Sequence, residues 1–466
     1  MAGFAPQHLT ALLAPLKHVS NCWIAFSGGL DSSVLLSAAA TVREHLPGAL
    51  YAIHLDHGLH PDACEWAAHC QSQCDLLAVP FTVRRLHLRP LPGESIEAVA
   101  REARYRAFSS LLAPGDLLLT AHNRDDQAET LLLALLRGSG AQGLAAMPFA
   151  APLGTGRLVR PLLDVTRESL VAYARSRGLA WIEDPSNRET AMDRNYLRLR
   201  VLPLVRARWP AFATTLSRSA SHCAEAAQLT DRLAAQTLAG LDGERPGTIG
   251  IPALLRIDRP LQKAALRLWL RRRDFALPDT RQIDRILDEV LPARPDANPL
   301  VAWSGCEIRR YRQDLFALPP LPDPPLATLE IDWQVGGDVA AMLGLPKGLG
   351  RLEWHAASDR VDPTDGQASE LGQQSLIVRF GLTGQDCQTL RADHRRPLKK
   401  VFQEAGIPVW LRPYVPLVFK GASLIAVAGV CRCRSPDSAT DPLGEFRWVG
   451  HPWEEFGLLM QERRRV

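Results

Sequence analysis

Between residues 22 and 120 short apolar runs alternate with longer amphipathic ones, and no other feature restricts the fold of this chain as much. WIAF (23–26), YAIHL (51–55), FTVRRL (81–86) and DLLLT (116–120) predict strands, with helices between them over about 31–45, 61–77 and 95–112. A strand followed by a helix and another strand in one sheet crosses over in a right-handed sense, so repeated units give parallel strands with helices on both faces. The fold class expected is α/β, a doubly wound, Rossmann-like parallel sheet. Such sheets bind ligands beyond the carboxyl ends of their strands. That rule gathers four segments: SGGLDS (27–32), DHGLH (56–60), RRLHL (84–88) and AHNRDD (121–126).

A chain of 466 residues exceeds one ordinary core, so two or three domains are expected. Residues 164–209 read as helical with a break at IEDPSNRET, and 212–240 as an Ala-rich helix. Helices follow at about 259–273 and 279–291, then short strands within WSGCEIRRYRQDLFAL (303–318). LPPLPDPPL (318–326) is a linker, because neither helix nor sheet interiors tolerate that density of proline. Strands near 376–380, 415–419 and 423–427 around a helix at 398–405 complete a small α+β module. The expected domains are 1–215, a mainly helical 216–325, and an α+β 326–466.

No apolar run approaches the roughly 18 residues of a membrane span, and the first 20 residues lack a basic region followed by an apolar core. A cytoplasmic protein without membrane contact is expected. The nine cysteines are scattered, and neither Cys70/Cys74 nor Cys431/Cys433 has CxxC spacing, so they read as reduced, mostly structural thiols, with metal binding or sulfur transfer disfavoured. A net charge of +4 says little about partners. Its location says more: residues 391–434 hold nine Lys or Arg against Asp393 and Glu404, a net +7 that suits either a polyanion or a solvated face.

The run WIAFSGGLDSSVLL is strand, glycine turn and helix, the setting a phosphate loop requires. Gly28 and Gly29 permit a tight turn, so that backbone amides together with Ser27 and Ser32 face phosphate oxygens, while Asp31 can hold magnesium. No lysine follows the glycines, which argues against γ-phosphate transfer. In DDQAET, Asp126 and Glu129 are three apart on one helix face, where like charges repel unless a cation intervenes. A cationic substrate answers that need, and so does the plainer reading of acids favoured at a helix start. Arg194 and Arg198 share a face suited to phosphate, Asn195 beside them, or form a solvated basic helix. His54 and His57 bracket the second strand's end and are assigned proximity to the nucleotide only.

SGGLDS resembles the PP-loop of the N-type ATP pyrophosphatases, which implies ATP binding across Ser27, Gly28, Gly29, Leu30, Asp31 and Ser32 with attack at the α-phosphate. Further segments resemble the tRNA(Ile)-lysidine synthetase family in order: AIHLDHGLHPDA (52–63), AREARYRAF (100–108), TAHNRDDQAETLLLALLRGSGAQGLAAM (120–147), RLVRPLLDVTR (157–167) and WIEDPSNRETAMDRNYLRLRVLPLV (181–205). PLKKVFQEAGIPVWLRPYVPLVF (397–419) is similar to its C-terminal module, whereas 327–370 matches nothing convincingly. The resemblance implies a ligase that uses ATP and Mg2+, takes tRNA(Ile) with a CAU anticodon and free lysine, and has tRNA-binding middle and C-terminal domains. It also implies catalytic roles for Asp31, Asp126, Glu129 and Arg194, with Asp126 and Glu129 recognising lysine and the target base, and RNA contacts by Arg194, Arg198, Arg395, Arg396, Lys399 and Lys400. A tRNA thiolase would need cysteines near the site, and CxxC is absent. The oligomeric state stays open, a homodimer among the options.

Overall fold

The computed structural model describes residues 3–58, 60–86, 88, 96–294, 297–335, 341–346, 348–356, 374–381, 384–390, 394–434 and 444–457. It divides into two compact units, Met1–Leu229 and Thr230–Val466.

The first unit begins with α1 (Gln7–Leu13) and then alternates: β1 (Asn21–Ala25), α2 (Leu30–Thr41), β2 (Ala49–Asp56), α3 (Ala63–Leu76), β3 (Phe81–Arg85), α4 (Ile96–Leu111) and β4 (Leu117–Leu119). After α5 (Arg124–Leu136) and the short α6 (Ala141–Leu144), a hairpin of β5 (Ala150–Leu153) and β6 (Gly156–Val159) joins the same sheet. The strand order is β3-β2-β1-β4-β6-β5, parallel except for β5 at the edge. Alternate residues of β1 build the two cores. Cys22 and Ile24 pack with Val34, Leu35 and Ala38 of α2, whereas Trp23 and Ala25 pack on the cluster of Ile53, Phe108, Leu112, Leu118 and Leu158. Both sheet faces are therefore covered, as a parallel sheet requires.

From β1 the chain builds outward to β2 and β3, then returns to place β4 on the other side of β1. The strand order reverses between β1 and β4, and a crevice opens at such a switch point. SGGLDS follows β1 and AHNRDD follows β4, so the two come together. Of the other expected segments, His87 and Leu59 lie outside the described residues, and β3 stands at the far edge. Helices α7 (Arg167–Ser176), α8 (Asp193–Tyr196) and α9 (Leu202–Arg208) follow, with a π-helical turn, Leu197–Val201, between the last two. α10 (Phe212–Leu238) contains the division between the units.

In the second unit β7 (Ile249–Gly250) and α11 (Ile251–Leu254) precede α12 (Arg259–Arg272) and α13 (Thr280–Arg285). Asp258 caps α12 by accepting from Leu261 N, and Asp279 with Gln282 forms a capping box on α13. β8 (Leu300–Trp303), β9 (Cys306–Tyr311) and β10 (Asp314–Leu318) complete an antiparallel sheet in the order β7-β10-β9-β8. β10 serves two cores, with Leu315 and Ala317 among the helices of this region and Phe316 and Leu318 in the next cluster along the chain. That cluster covers β11 (Ile331–Val335), β12 (Ala341–Gly344), β13 (Arg351–Ala356), β14 (Gln374–Arg379), β15 (Asp386–Cys387), β16 (Arg396–Pro397), α14 (Leu398–Glu404), β17 (Leu417–Lys420), β18 (Ser423–Val427), β19 (Cys431–Arg432) and β20 (Gly444–Val449). Five strands run in the order β11-β14-β17-β18-β19, and β12-β13-β20 form a second sheet. Cys387 and Cys433 are joined in a disulfide, which corrects the expectation of nine reduced thiols. No helix among the described residues is long and apolar enough to cross a membrane.

Candidate active site

Gly28 adopts φ +79°, and a Cβ there would lie 2.7 Å from Ile182 Cδ1 and 2.9 Å from Cys70 Sγ. Gly29 differs: it is extended (φ −74°, ψ 164°) as the N-cap of α2, and an added Cβ would meet only Ser27 Oγ at 3.5 Å. The turn therefore rests on one glycine, not two. Ile182 N donates to Gly28 O at 2.9 Å and fastens the segment after α7 onto the loop. Ser27 Oγ lies 3.1 Å from Ser32 Oγ, and Ser32 Oγ also donates to Gly29 O at 2.9 Å. The first amides of α2 have no carbonyl within the helix to bond, so they face outward with the positive end of the helix dipole.

Asp31, in the first turn of α2, lies 3.3 Å through Oδ2 from Arg167 Nη1, while its buried Oδ1 has no hydrogen-bond partner. Burial raises its pKa to about 6 against the opposing pull of Arg167. An orphaned carboxylate oxygen beside a phosphate-type turn fits Mg2+, which takes one or two protein carboxylates and completes its shell with phosphate oxygens and water. His54, by contrast, is tied to the fold: Nδ1 is 2.9 Å from Phe26 O and 3.6 Å from Cys70 Sγ, and burial lowers its pKa.

Across the crevice Asn123 caps α5, accepting from Asp125 N (2.9 Å) and Asp126 N (3.2 Å). Asp126 Oδ2 accepts in return from Asn123 N at 2.9 Å, so half of this carboxylate is a capping-box member. Its Oδ1 accepts from Arg198 Nη2 at 3.0 Å. Glu129, only 1% exposed, is saturated by arginine: Oε1 accepts from Arg198 Nε at 2.7 Å, and Oε2 from Arg198 Nη2 at 2.8 Å and Arg194 Nε at 3.1 Å. Asp125 accepts from Arg206 and from Arg167 N at 3.1 Å. The cation anticipated between Asp126 and Glu129 is thus the protein's own Arg198. Correspondingly, the shared face of Arg194 and Arg198 expected to meet phosphate is turned onto Glu129, because a buried carboxylate needs paired charge. Asn195 donates to Ser186 O and Glu189 O, each at 3.0 Å, and steadies the preceding loop.

These groups surround a cavity of about 660 Å³ lined by Ser27, Gly29, Leu30, Asp31 and Ser32, by His57 and His122, and by the cations Arg104, Arg167, Arg175 and Arg198. Arg198 stands on its wall, with Asp126, Glu129 and Arg194 linked behind it. Burial lowers the pKa of His122 to about 4 and lowers that of His57, which keeps both neutral near pH 7. The sequence reading missed Arg167, Arg175 and His122 as site residues; Arg167 closes the RLVRPLLDVTR segment, which was the available signal. The basic cluster lies in the other unit, where Arg395, Lys399 and Lys400 are exposed and Arg396 pairs with Glu404 at 3.2 Å.

A PP-loop domain model matches residues 4–205, a TilS substrate binding domain model residues 250–316, and a TilS substrate C-terminal domain model residues 376–448. The chain is 42% identical to a tRNA(Ile)-lysidine synthase of Coxiella burnetii, covering 95% of this chain and 96% of the relative. It is 41% identical to one of Methylococcus capsulatus (90% and 94% covered) and 42% identical to one of Yersinia pseudotuberculosis (91% and 94% covered).

Proposed function

The chain belongs to the tRNA(Ile)-lysidine synthase family of ATP-dependent, tRNA-modifying ligases, and from that premise we propose that it adenylates the wobble cytidine of tRNA(Ile) with a CAU anticodon and joins free lysine to carbon 2. The product pairs as an isoleucine anticodon instead of a methionine one. The observation that carries this reading is the cavity at the β1/β4 switch point, where the Gly28 turn and the orphaned Asp31 Oδ1 meet four arginines on a wall that also holds Glu183 and Asp184. Anionic phosphates match the arginines.

The first step has the cytosine carbon-2 oxygen attack the α-phosphorus while pyrophosphate leaves. Loop amides and Ser32 hold the phosphates, and Arg104, Arg167 and Arg198 offset the charge on the departing group. Asp31 would hold magnesium, which would supply further neutralisation of phosphate charge. In the second step the lysine side-chain ammonium, whose free pKa is about 10.4, gives its proton to solvent; the neutral amine attacks carbon 2, the bond from carbon 2 to the adenylated oxygen breaks, and AMP departs with that oxygen. Glu129 has both oxygens engaged by arginine, so it acts by fixing Arg194 and Arg198 and not as the proton acceptor. Residues 1–215 hold this chemistry, and 216–325 and 326–466 carry the tRNA.

Incubating the purified chain with an unmodified CAU-anticodon isoleucine tRNA transcript, ATP, Mg2+ and labelled lysine tests the reading. Expected products are AMP, pyrophosphate and a lysine-bearing cytidine identified by nucleoside mass. ADP in place of AMP, or label absent from the tRNA, refutes it.

A further inference from the structure

Far along the chain from the nucleotide loop, three sulfur atoms meet. Cys387 at the end of β15, Cys431 on β19 and Cys433 just beyond it lie with all their sulfurs within 4.8 Å of one another. The backbone brings them there by contacts of its own. Cys387 pairs with Arg396 across β15–β16, Val427 with Cys431 across β18–β19, and Thr389 bridges to Cys433. Arg434 N donates to Gln388 O at 2.6 Å. Cys431 and Cys433, two apart on extended chain, point to the same side. Cys387 and Cys433 are 1% and 3% exposed and Cys431 is half-buried, so the group is closed toward the core and opens at one corner.

The geometry points to a thiolate metal site: in the reduced protein Cys387, Cys431 and Cys433 bind one divalent ion of the zinc class. A disulfide uses two sulfurs, and a third held at the same spot is what a metal uses in addition. Thiolates about 2.3 Å from a shared tetrahedral zinc stand about 3.8 Å apart, inside the span these three occupy. Three thiolates and a divalent ion sum to −1, and Arg432 and Arg434, adjacent to Cys431 and Cys433 in sequence, bring positive charge beside them. The Cys387–Cys433 disulfide is then the oxidised, metal-free form of the same site. A dithiol reductant delivers two electrons and two protons to open it, becoming a disulfide itself. Metal binding then displaces the thiol protons to solvent. The ion would tie the β15–β16 ribbon, which leads directly into α14, to the five-stranded sheet.

The site does not depend on the reaction assigned above, and its test uses the full chain. The protein is purified with a thiol reductant, supplied with zinc, desalted and analysed by plasma mass spectrometry. About one zinc per chain is expected in the wild type, and less than about a tenth of that in Cys431→Ser, which leaves the other pair intact. Replacing zinc by cobalt(II) should give a thiolate-to-metal charge-transfer band in the wild type alone. No zinc retained by the reduced wild type, or full retention by Cys431→Ser, overturns the site. Should Cys431→Ser show no cooperative melt, the wild-type cobalt band decides, its absence refuting the proposal.

Discussion

Neighbouring glycines in the nucleotide loop face different demands, and substitution separates them. Gly28→Ala places a side chain at φ +79°, with its Cβ within 2.9 Å of both Ile182 Cδ1 and Cys70 Sγ, so those side chains or the loop must shift. The left-handed backbone alone costs about 1–2 kcal/mol. Gly29→Ala meets only ordinary contact and should keep ATP binding within about fivefold, as a cap change of a few tenths to 1 kcal/mol allows. Equal ATP affinities for the two variants in a titration would contradict this. Glu129→Gln tests the arginine lattice in another way. The swap keeps shape but strips the charge that holds Arg194 and Arg198, each about 30% exposed, so a stability loss of about 1–2 kcal/mol is expected, below that of a fully buried pair. Because Arg198 lines the nucleotide cavity, pyrophosphate release and lysine-dependent product should fall together. A loss confined to the lysine step would place Glu129 on the lysine instead.

At the scale of elements, the segment after β20 carries a pH-sensitive joint. His451 is 5% exposed, 4.4 Å between ring centroids from Trp448, and its Nδ1 accepts from Trp453 N at 3.2 Å. Burial lowers its pKa to about 4 from an ordinary 6.5. Between those values the unfolded chain binds the proton and the folded chain does not, so stability is full above pH 6.5 and is lost as pH falls toward 4, by up to about 1.4 kcal/mol per unit. Thermal melts followed by tryptophan fluorescence should show that decline, to which His122 contributes over the same range, and His451→Phe should lessen it; an unchanged slope would remove His451 as a source. Elements with a strong period were legible in the sequence. The strands from β1 to β4, the helices between them and the β17–β18 pair fall within a few residues of expectation. The β5–β6 hairpin escaped because its strands are four residues each around Gly154, too short to establish alternation. β12 is as short, and β11 and β13, five and six residues long, lie in the segment that resembled nothing. Asp31 was legible because strand, turn and helix adjoin in sequence. The Arg198–Glu129 pair and the Cys387–Cys433 disulfide were not, since their partners lie 69 and 46 residues apart and spacing cannot say which residues meet.

Over the whole molecule, the location of charge decides how a +4 protein can hold a long polyanion. Of the cations counted between 391 and 434, Arg391 lies outside the described residues, as does Asp393, and Arg396 is committed to Glu404. Of the other seven, Arg395, Lys399, Lys400 and Arg434 are exposed. The two lysines occupy the first turn of α14, where no acid accompanies them. Cations there oppose the helix dipole by about 0.3–1 kcal/mol each, a cost without return unless an anion docks on them. Phosphates of tRNA are the anion that the family's reaction supplies. Replacing Lys399 and Lys400 together by Gln should remove that cost and slightly raise the melting temperature while weakening tRNA binding. The log–log dependence of affinity on salt should flatten by about 0.7–0.9 for each phosphate no longer neutralised, hence by about 1.4–1.8 for the pair. Arg396→Gln should flatten it less, its charge being already shared with Glu404. With tRNA at saturation the double variant should turn over normally, since neither lysine lines the nucleotide cavity, so the defect belongs in KM and not in kcat. A salt slope equal to that of the wild type would make these lysines a solvated face, and the polyanion would then have to be held by other cations of the chain.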